Sequence, residues 1–238
     1  MPLIYAYGVR TSYKVYGEGK PIVLIHGLNS NKEEFSPLIP EFSRQFMVVT
    51  YDLPGHGESE APNGLFKISD FARHLRELVE KLNIQKPHIL GFSMGGGIAL
   101  EYALSYPYNT DKLILVSSSA RLGKLFQNEY YELIAVFRDI WSNIQSNPII
   151  WALRGLIGWD RSRDLGKVGN PTLIIHGDND IIIPVEEAYL LHKSIPGSKL
   201  VIIKGVGHDA LIEKHHEIIR IIMQFLTTDD LERYFIVS

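Results

Sequence analysis

The chain contains no cysteine, which excludes disulfides, thiolate metal sites and a cysteine nucleophile at once. It also lacks any apolar run approaching about 20 residues, so no membrane-spanning helix is expected. The opening residues Met1-Pro2-Leu3-Ile4-Tyr5-Ala6-Tyr7 carry neither a charged leader nor a long apolar stretch, and no secretory signal is expected from them. Charge of one sign is not in large excess either. Twenty-four basic and 27 acidic side chains leave a formal net charge of −3, and no basic stripe offers a surface for nucleic acid or an anionic membrane. No internal repeat or low-complexity tract is visible. What remains, 238 residues of which 45% are hydrophobic and 21% charged, fits one large globular domain or a domain with an insertion. A cytoplasmic enzyme or binding protein is the expectation.

Residues 3–7 and 10–16 read as two strands around Gly8-Val9, most simply a hairpin. Pro21-Ile22-Val23-Leu24-Ile25-His26-Gly27 is a continuous apolar run ending in glycine, the pattern of a parallel strand buried on both faces. The run Phe46 to Tyr51 repeats it, and 88–92, 112–117, 172–176 and 199–203 complete a set of eight strands. Between them lie helical patterns: one from Ser69-Asp70 with Phe71, Leu75, Leu78, Val79 and Leu82 on one face, then 94–105, 185–195 and a last helix over 209–226. Repeated strand–helix units with apolar strands predict a mostly parallel sheet covered by helices on both faces.

One stretch breaks the alternation. From Ser119 to Gly169 no strand pattern occurs. Leu122, Phe126, Tyr130, Leu133, Phe137, Ile140 and Ile144 recur at helical spacing, and Asn147-Pro148 starts a second helix through Trp151 and Leu156. Residues 121–164 therefore read as a short helical cap inserted after the sixth strand, with 1–120 and 165–238 as the core. All three tryptophans, Trp141, Trp151 and Trp159, fall in the cap. They serve either to glue it to the core or, with Phe126, to roof an apolar pocket. The tail ends Tyr234-Phe235-Ile236-Val237, an apolar tip that frays, docks on its own surface or meets a second subunit as a homodimer.

The chemistry centres on Gly91-Phe92-Ser93-Met94-Gly95, set between strand 88–92 and helix 94–105. In that context the serine sits on a tight turn with its hydroxyl raised above the sheet edge. A serine hydroxyl attacks a carbonyl at neutral pH only with a base in hydrogen-bond reach, and that base is normally a histidine oriented by a carboxylate. Of nine histidines, His74 and His192 lie inside predicted helices, His215 and His216 look solvated, and His88 and His176 lie within strands. His26 and His56 precede glycines upstream of the serine, and His26 reads as structural. His208, in Gly205-Val206-Gly207-His208, follows a late strand and overhangs the strand ends. The carboxylate comes from Gly177-Asp178-Asn179-Asp180, at the carboxyl edge where open α/β sheets build sites. Asp178, beside the glycine, suits the turn; Asp180, beside an apolar run, suits the imidazole. Two N–H groups must also converge on a developing oxyanion. Met94 supplies one and the loop His26-Gly27-Leu28-Asn29 the other, most simply at Leu28, with the Asn29 side chain assisting or holding the loop.

These motifs together, with Asp52-Leu53-Pro54-Gly55-His56-Gly57-Glu58-Ser59, resemble the α/β-hydrolase superfamily over nearly the whole chain, in its subgroup of small capped esterases and lactonases. The resemblance implies an eight-stranded α/β-hydrolase sheet and the nucleophile–acid–base order Ser93, Asp180, His208. It implies a cap after the sixth strand, here shorter than most, and no metal or cofactor. The implied activity is a serine carboxylesterase for small-molecule esters with small to medium, largely apolar acyl groups. Lactonase, thioesterase and carbon–carbon hydrolase activities use the same machinery. A ligand-binding protein on the same scaffold is the rival from another class.

Overall fold

The computed structural model describes residues 2–125 and 148–228. Eight strands, β1 (Leu3–Ala6), β2 (Val9–Tyr16), β3 (Lys20–Ile25), β4 (Phe46–Tyr51), β5 (His88–Phe92), β6 (Leu113–Val116), β7 (Thr172–Gly177) and β8 (Lys199–Ile203), form one sheet in the order β1-β2-β4-β3-β5-β6-β7-β8. From β4 to β8 every neighbouring pair is parallel, whereas β1–β2 and β2–β4 are antiparallel. The described helices are α1 (Ile39–Phe42), α2 (Ile68–Lys81), α3 (Met94–Ser105), α4 (Leu122–Leu125), α5 (Pro148–Leu156), α6 (Glu186–Ser194), α7 (Ala210–Glu213) and α8 (His215–Thr227). None of them is long and apolar enough to cross a membrane.

Alternation along each parallel strand deals side chains to opposite faces. Val23, Ile25, Ile89, Leu113, Leu115 and Ile174 join one core, roofed by Phe71, Leu75 and Leu78 of α2, Ile98 and Tyr102 of α3, and Leu191 of α6. Ile22, Leu24, Leu90, Ile114, Val116 and Ile175 join the other, roofed by Phe35, Leu38, Phe42 and by Ile218, Ile222 and Phe225 of α8. Three layers result, and the continuous apolar runs of the sequence are explained by burial on both sides. Lys112, entering β6, donates from Nζ to the carbonyls of Phe225, Leu226 and Thr228 at 2.9, 3.1 and 3.0 Å. A cation thus closes the carboxyl end of α8, where the helix dipole favours it.

Several boundaries differ from the sequence-based expectation. The first hairpin turns at Tyr7-Gly8, with φ of 46° and 77° and Ala6 paired to Val9; two central residues with positive φ match the twist of the flanking strands. The helix expected over 209–226 is two, broken at Lys214 (φ −128°, ψ 33°). His215 Nδ1 lies 3.0 Å from the Ile212 carbonyl, the group that a continuous helix would offer to the next turn. A short 3₁₀ turn, Lys32–Phe35, and α1 precede β4 without any signal read from the sequence.

The Asp52–Ser59 segment is a lock. Asp52 accepts the Lys32 N–H and Nζ, both at 2.7 Å, and the Glu58 N–H at 2.9 Å. The Lys32 and Asp52 side chains are 3% and 0% exposed, and a β-carbon on Gly57 (φ 51°) would strike the Asp52 carboxylate. Removing one partner of a buried pair strands the other without compensation. Lys32→Met is therefore expected to lower the free energy of unfolding by about 3 kcal/mol, read from urea denaturation; an unchanged midpoint would show that the lock contributes nothing.

Candidate active site

Ser93 stands between β5 and α3 with φ 52° and ψ −119°, a conformation that a non-glycine residue adopts only when its surroundings enforce it. The enforcement is visible. Ser93 N–H donates to the Val116 carbonyl at 2.9 Å, and the Ser93 carbonyl accepts from Gly96 N–H at 3.0 Å and the Ser118 hydroxyl at 2.8 Å. A β-carbon at Gly91 would collide with the Gly95 carbonyl, and one at Gly95 with the Ile25 carbonyl of β3. Both glycines are thus required by close backbone approach.

Two loops at the same sheet edge complete the arrangement. The loops after β7 and β8 are knitted together: Asp178 N–H to Ile203 O at 3.2 Å, Asn179 N–H to Val206 O at 3.0 Å, and Gly205 N–H to Asp178 Oδ1 at 2.7 Å. Gly177 permits this, since a β-carbon there would strike the Val206 and Gly207 carbonyls. Asp180 Oδ2 lies 2.8 Å from His208 Nδ1, and His208 Nε2 lies 3.0 Å from Ser93 Oγ. With Nδ1–H donating to the carboxylate, Nε2 is free to accept the serine proton. Asp180 Oδ1 accepts the Ile182 and Ile183 N–H groups at 2.9 and 2.8 Å. A second imidazole shares Oδ2: His176 Nε2 is 3.4 Å from it and 2.8 Å from the Ile183 carbonyl. The sequence marks His176 only as a strand residue, and nothing local signals its reach across four positions to Asp180. Asp178 faces the neighbouring loop rather than the imidazole.

On the other side of Ser93 lies the loop after β3. His26, fully buried, accepts the Leu53 N–H on Nε2 at 3.0 Å and turns Nδ1 to the Gly27 carbonyl at 2.7 Å. Burial, with His56 nearby, pushes its imidazole down to about 3, so it stays neutral. Gly27 N–H donates to Glu34 Oε2 at 3.0 Å. Among the described residues, neither the Leu28 nor the Met94 N–H finds an acceptor. Asn29 is exposed in the left-handed region, φ 59°, where asparagine is tolerated better than most residues.

The family model for the α/β-hydrolase fold matches residues 20–144 and 132–215. The chain belongs to the α/β-hydrolase fold family. It is 28% identical to the 2-hydroxy-6-oxo-6-phenylhexa-2,4-dienoate hydrolase of Comamonas testosteroni, over 90% of each chain. Among solved structures it resembles Est816, described as an N-acyl homoserine lactone degrading enzyme, at TM-score 0.81 and 26% identity over 94% of this chain and all (100%) of that one. An esterase from Exiguobacterium antarcticum shares the fold at TM-score 0.82 and 24% identity, over 95% and 99%.

In this hydrolase the described parts of residues 121–164 are α4, α5 and the turn leading to β7. The helical spacing read from Phe126 onward, and with it Phe126 and Trp141, lies outside the described residues, as does the Tyr234–Val237 tail. Trp151 is half-buried on α5. Two buried carboxylates hold the ends of this stretch to the core. Glu187 of α6 receives Arg121 Nε and Nη2 at 2.9 and 2.7 Å and the Ser119 hydroxyl at 2.6 Å. Glu101 of α3 receives Arg161 Nε and Nη2, both at 2.7 Å, and Trp159 Nε1 at 2.9 Å. Trp159 thus ties this stretch to the core through its indole N–H. Among the described residues no group of three His, Asp or Glu side chains is arranged to hold a metal ion.

Burial alone would raise the Asp180 carboxyl, but hydrogen bonds from His176, His208 and the Ile183 N–H hold it well below the usual carboxylate range. In the unfolded chain it titrates near about 3.9. A depressed folded-state value contributes stability that is complete above the unfolded value and is lost as pH falls towards the folded one. The stability advantage of the wild type over Asp180→Asn should therefore shrink between about pH 5 and pH 3 in urea denaturation; an advantage that grew on acidification would contradict the depressed carboxyl.

Proposed function

We propose that this α/β hydrolase is a serine hydrolase of small-molecule carboxylic esters, acting through an acyl-enzyme on small to medium, largely apolar acyl groups. The observation that carries the reading is the unbroken hydrogen-bond chain from Ser93 Oγ through His208 to Asp180. His208 Nε2 takes the Ser93 proton as Oγ attacks the acyl carbon, while Asp180 holds the imidazolium. The oxyanion is received by the Leu28 and Met94 N–H groups, the second at the amino end of α3, where unpaired N–H groups favour negative charge. Collapse expels the alcohol, which takes its proton from His208. Water, deprotonated in turn by His208, attacks the acyl-enzyme and releases the acid. Every step draws on side chains, backbone and water alone. Residues 121–164 are proposed as the cap, with Asn29, Phe126, Trp141 and Trp151 as the candidate pocket residues.

A second reading is carbon–carbon bond hydrolysis of a 2-hydroxy-6-oxodienoate by the same three residues, favoured by the name of the Comamonas relative and its even coverage of both chains. The two readings part on substrate preference. With p-nitrophenyl butyrate, a 2-hydroxy-6-oxodienoate and an acyl homoserine lactone offered to the same preparation, the ester should give the highest kcat/KM; a preference for the dienoate would move the assignment to the second reading.

For the ester, Ser93→Ala is expected to lower kcat by about 10⁴–10⁶-fold and Asp180→Asn by about 10⁴-fold, with Asp178→Asn far milder. Undiminished turnover by pure Ser93→Ala protein would end the serine assignment, and a reversed ranking of the two aspartates would move the acid to Asp178.

A further inference from the structure

Glu34 is a half-buried carboxylate that no Lys or Arg pairs with among the described residues. Withdrawing a carboxylate from water is costly unless hydrogen bonds replace the lost hydration, so what Glu34 does bond is informative. It accepts the Gly27 N–H at 3.0 Å, with the Ser30 side chain and His208 close by. Gly27 in turn is packed against the nucleophile: a β-carbon there would stand 3.2 Å from the Phe92 ring and 3.4 Å from Ser93 Cβ.

Two successive peptide planes are fixed in this way. Glu34 holds the N–H of the His26–Gly27 peptide, and His26 Nδ1 holds the carbonyl of the Gly27–Leu28 peptide at 2.7 Å. All described peptides are trans, so that carbonyl and the Leu28 N–H point in opposite directions. Anchoring the carbonyl aims the N–H, and anchoring the preceding amide keeps the whole plane from rolling. The Leu28 N–H is left without an acceptor among the described residues, as an oxyanion donor must be before substrate arrives.

We propose that Glu34 is a positioning residue that orients the Leu28 N–H for the transition state. It acts through Gly27 and touches no reacting atom. The inference rests on the Ser93 reading given above. Its energetic effect falls on the tetrahedral state and not on ground-state ester binding.

The test measures kcat and KM for p-nitrophenyl butyrate and the affinity for a trifluoromethyl ketone, which forms a tetrahedral oxyanion adduct on the serine. Glu34→Ala should lower kcat by about 10- to 100-fold, leave KM within about threefold, and weaken the ketone by the same factor as kcat. Glu34→Gln keeps a carbonyl acceptor and should recover most of both. Should the alanine variant fail to fold, Glu34→Asp, whose carboxylate falls one methylene short of Gly27, must show the same parallel loss. Unchanged kcat in folded Glu34→Ala or Glu34→Asp, a loss of kcat without loss of ketone affinity, or a glutamine variant as impaired as alanine would each overturn the role. Ser93→Ala run alongside separates the two failures. Retained turnover there removes the serine reading itself, whereas an inactive Ser93→Ala beside an unimpaired Glu34→Ala removes only the positioning role.

Discussion

The backbone of Ser93, at φ 52° and ψ −119°, is the constraint on which the rest of the site depends. Such a conformation stores strain of order 1–3 kcal/mol and needs close packing on every side to persist. The packing comes from three directions: β3 and β6 flank the turn, and α3 leaves it at once. Each approach is so close that Gly91, Gly95 and Gly96 have no room for a side chain. The sheet therefore does more than carry the serine. The carbonyl of Ile25 at the end of β3 bears on Gly95, and that of Val116 at the end of β6 holds the Ser93 N–H.

Asp180 and His208 are held differently. Neither depends on strain; both depend on two loops bonded to each other by backbone groups, with Asp178 as the cross-link. Asp180 sits in a socket of two N–H groups and two imidazoles, so it is saturated with donors and stays ionised. The imidazole of His208 then rests against Phe92 at 5.2 Å between ring centres, the residue just before Ser93. The order of the parts along the chain is thereby converted into one compact cluster.

Much of this was legible in the sequence, for identifiable reasons. Strands buried on both faces announce themselves as continuous apolar runs, and Ile22–Ile25, Phe46–Tyr51 and His88–Phe92 are of that kind. A serine between two glycines at a strand-to-helix junction, and a histidine after a late strand, are local patterns too. What escaped is non-local or cooperative. The bond from Gly27 N–H to Glu34 depends on how a short 3₁₀ turn folds back, and six charged or polar residues in a row, Asn29 to Glu34, give no apolar period to announce that turn. The reach of His176 to Asp180 appears only once the loop has closed. At the break at Lys214 a histidine side chain takes a carbonyl, while the residues on either side, Leu211 and Ile218, keep the apolar pattern of an unbroken helix.

The clasps at Glu101 and Glu187 have a consequence for how such a protein diversifies. The carboxylates belong to α3 and α6, elements fixed by the sheet, and they grip the polypeptide on both sides of the excursion, at Arg121 and at Trp159 and Arg161. The segment spliced between those grips is in effect a cassette. Because both grips are anchored on the sheet, the stretch between them can change in length while Arg121 and Arg161 stay bound to α6 and α3 and the backbone beneath is inherited unaltered.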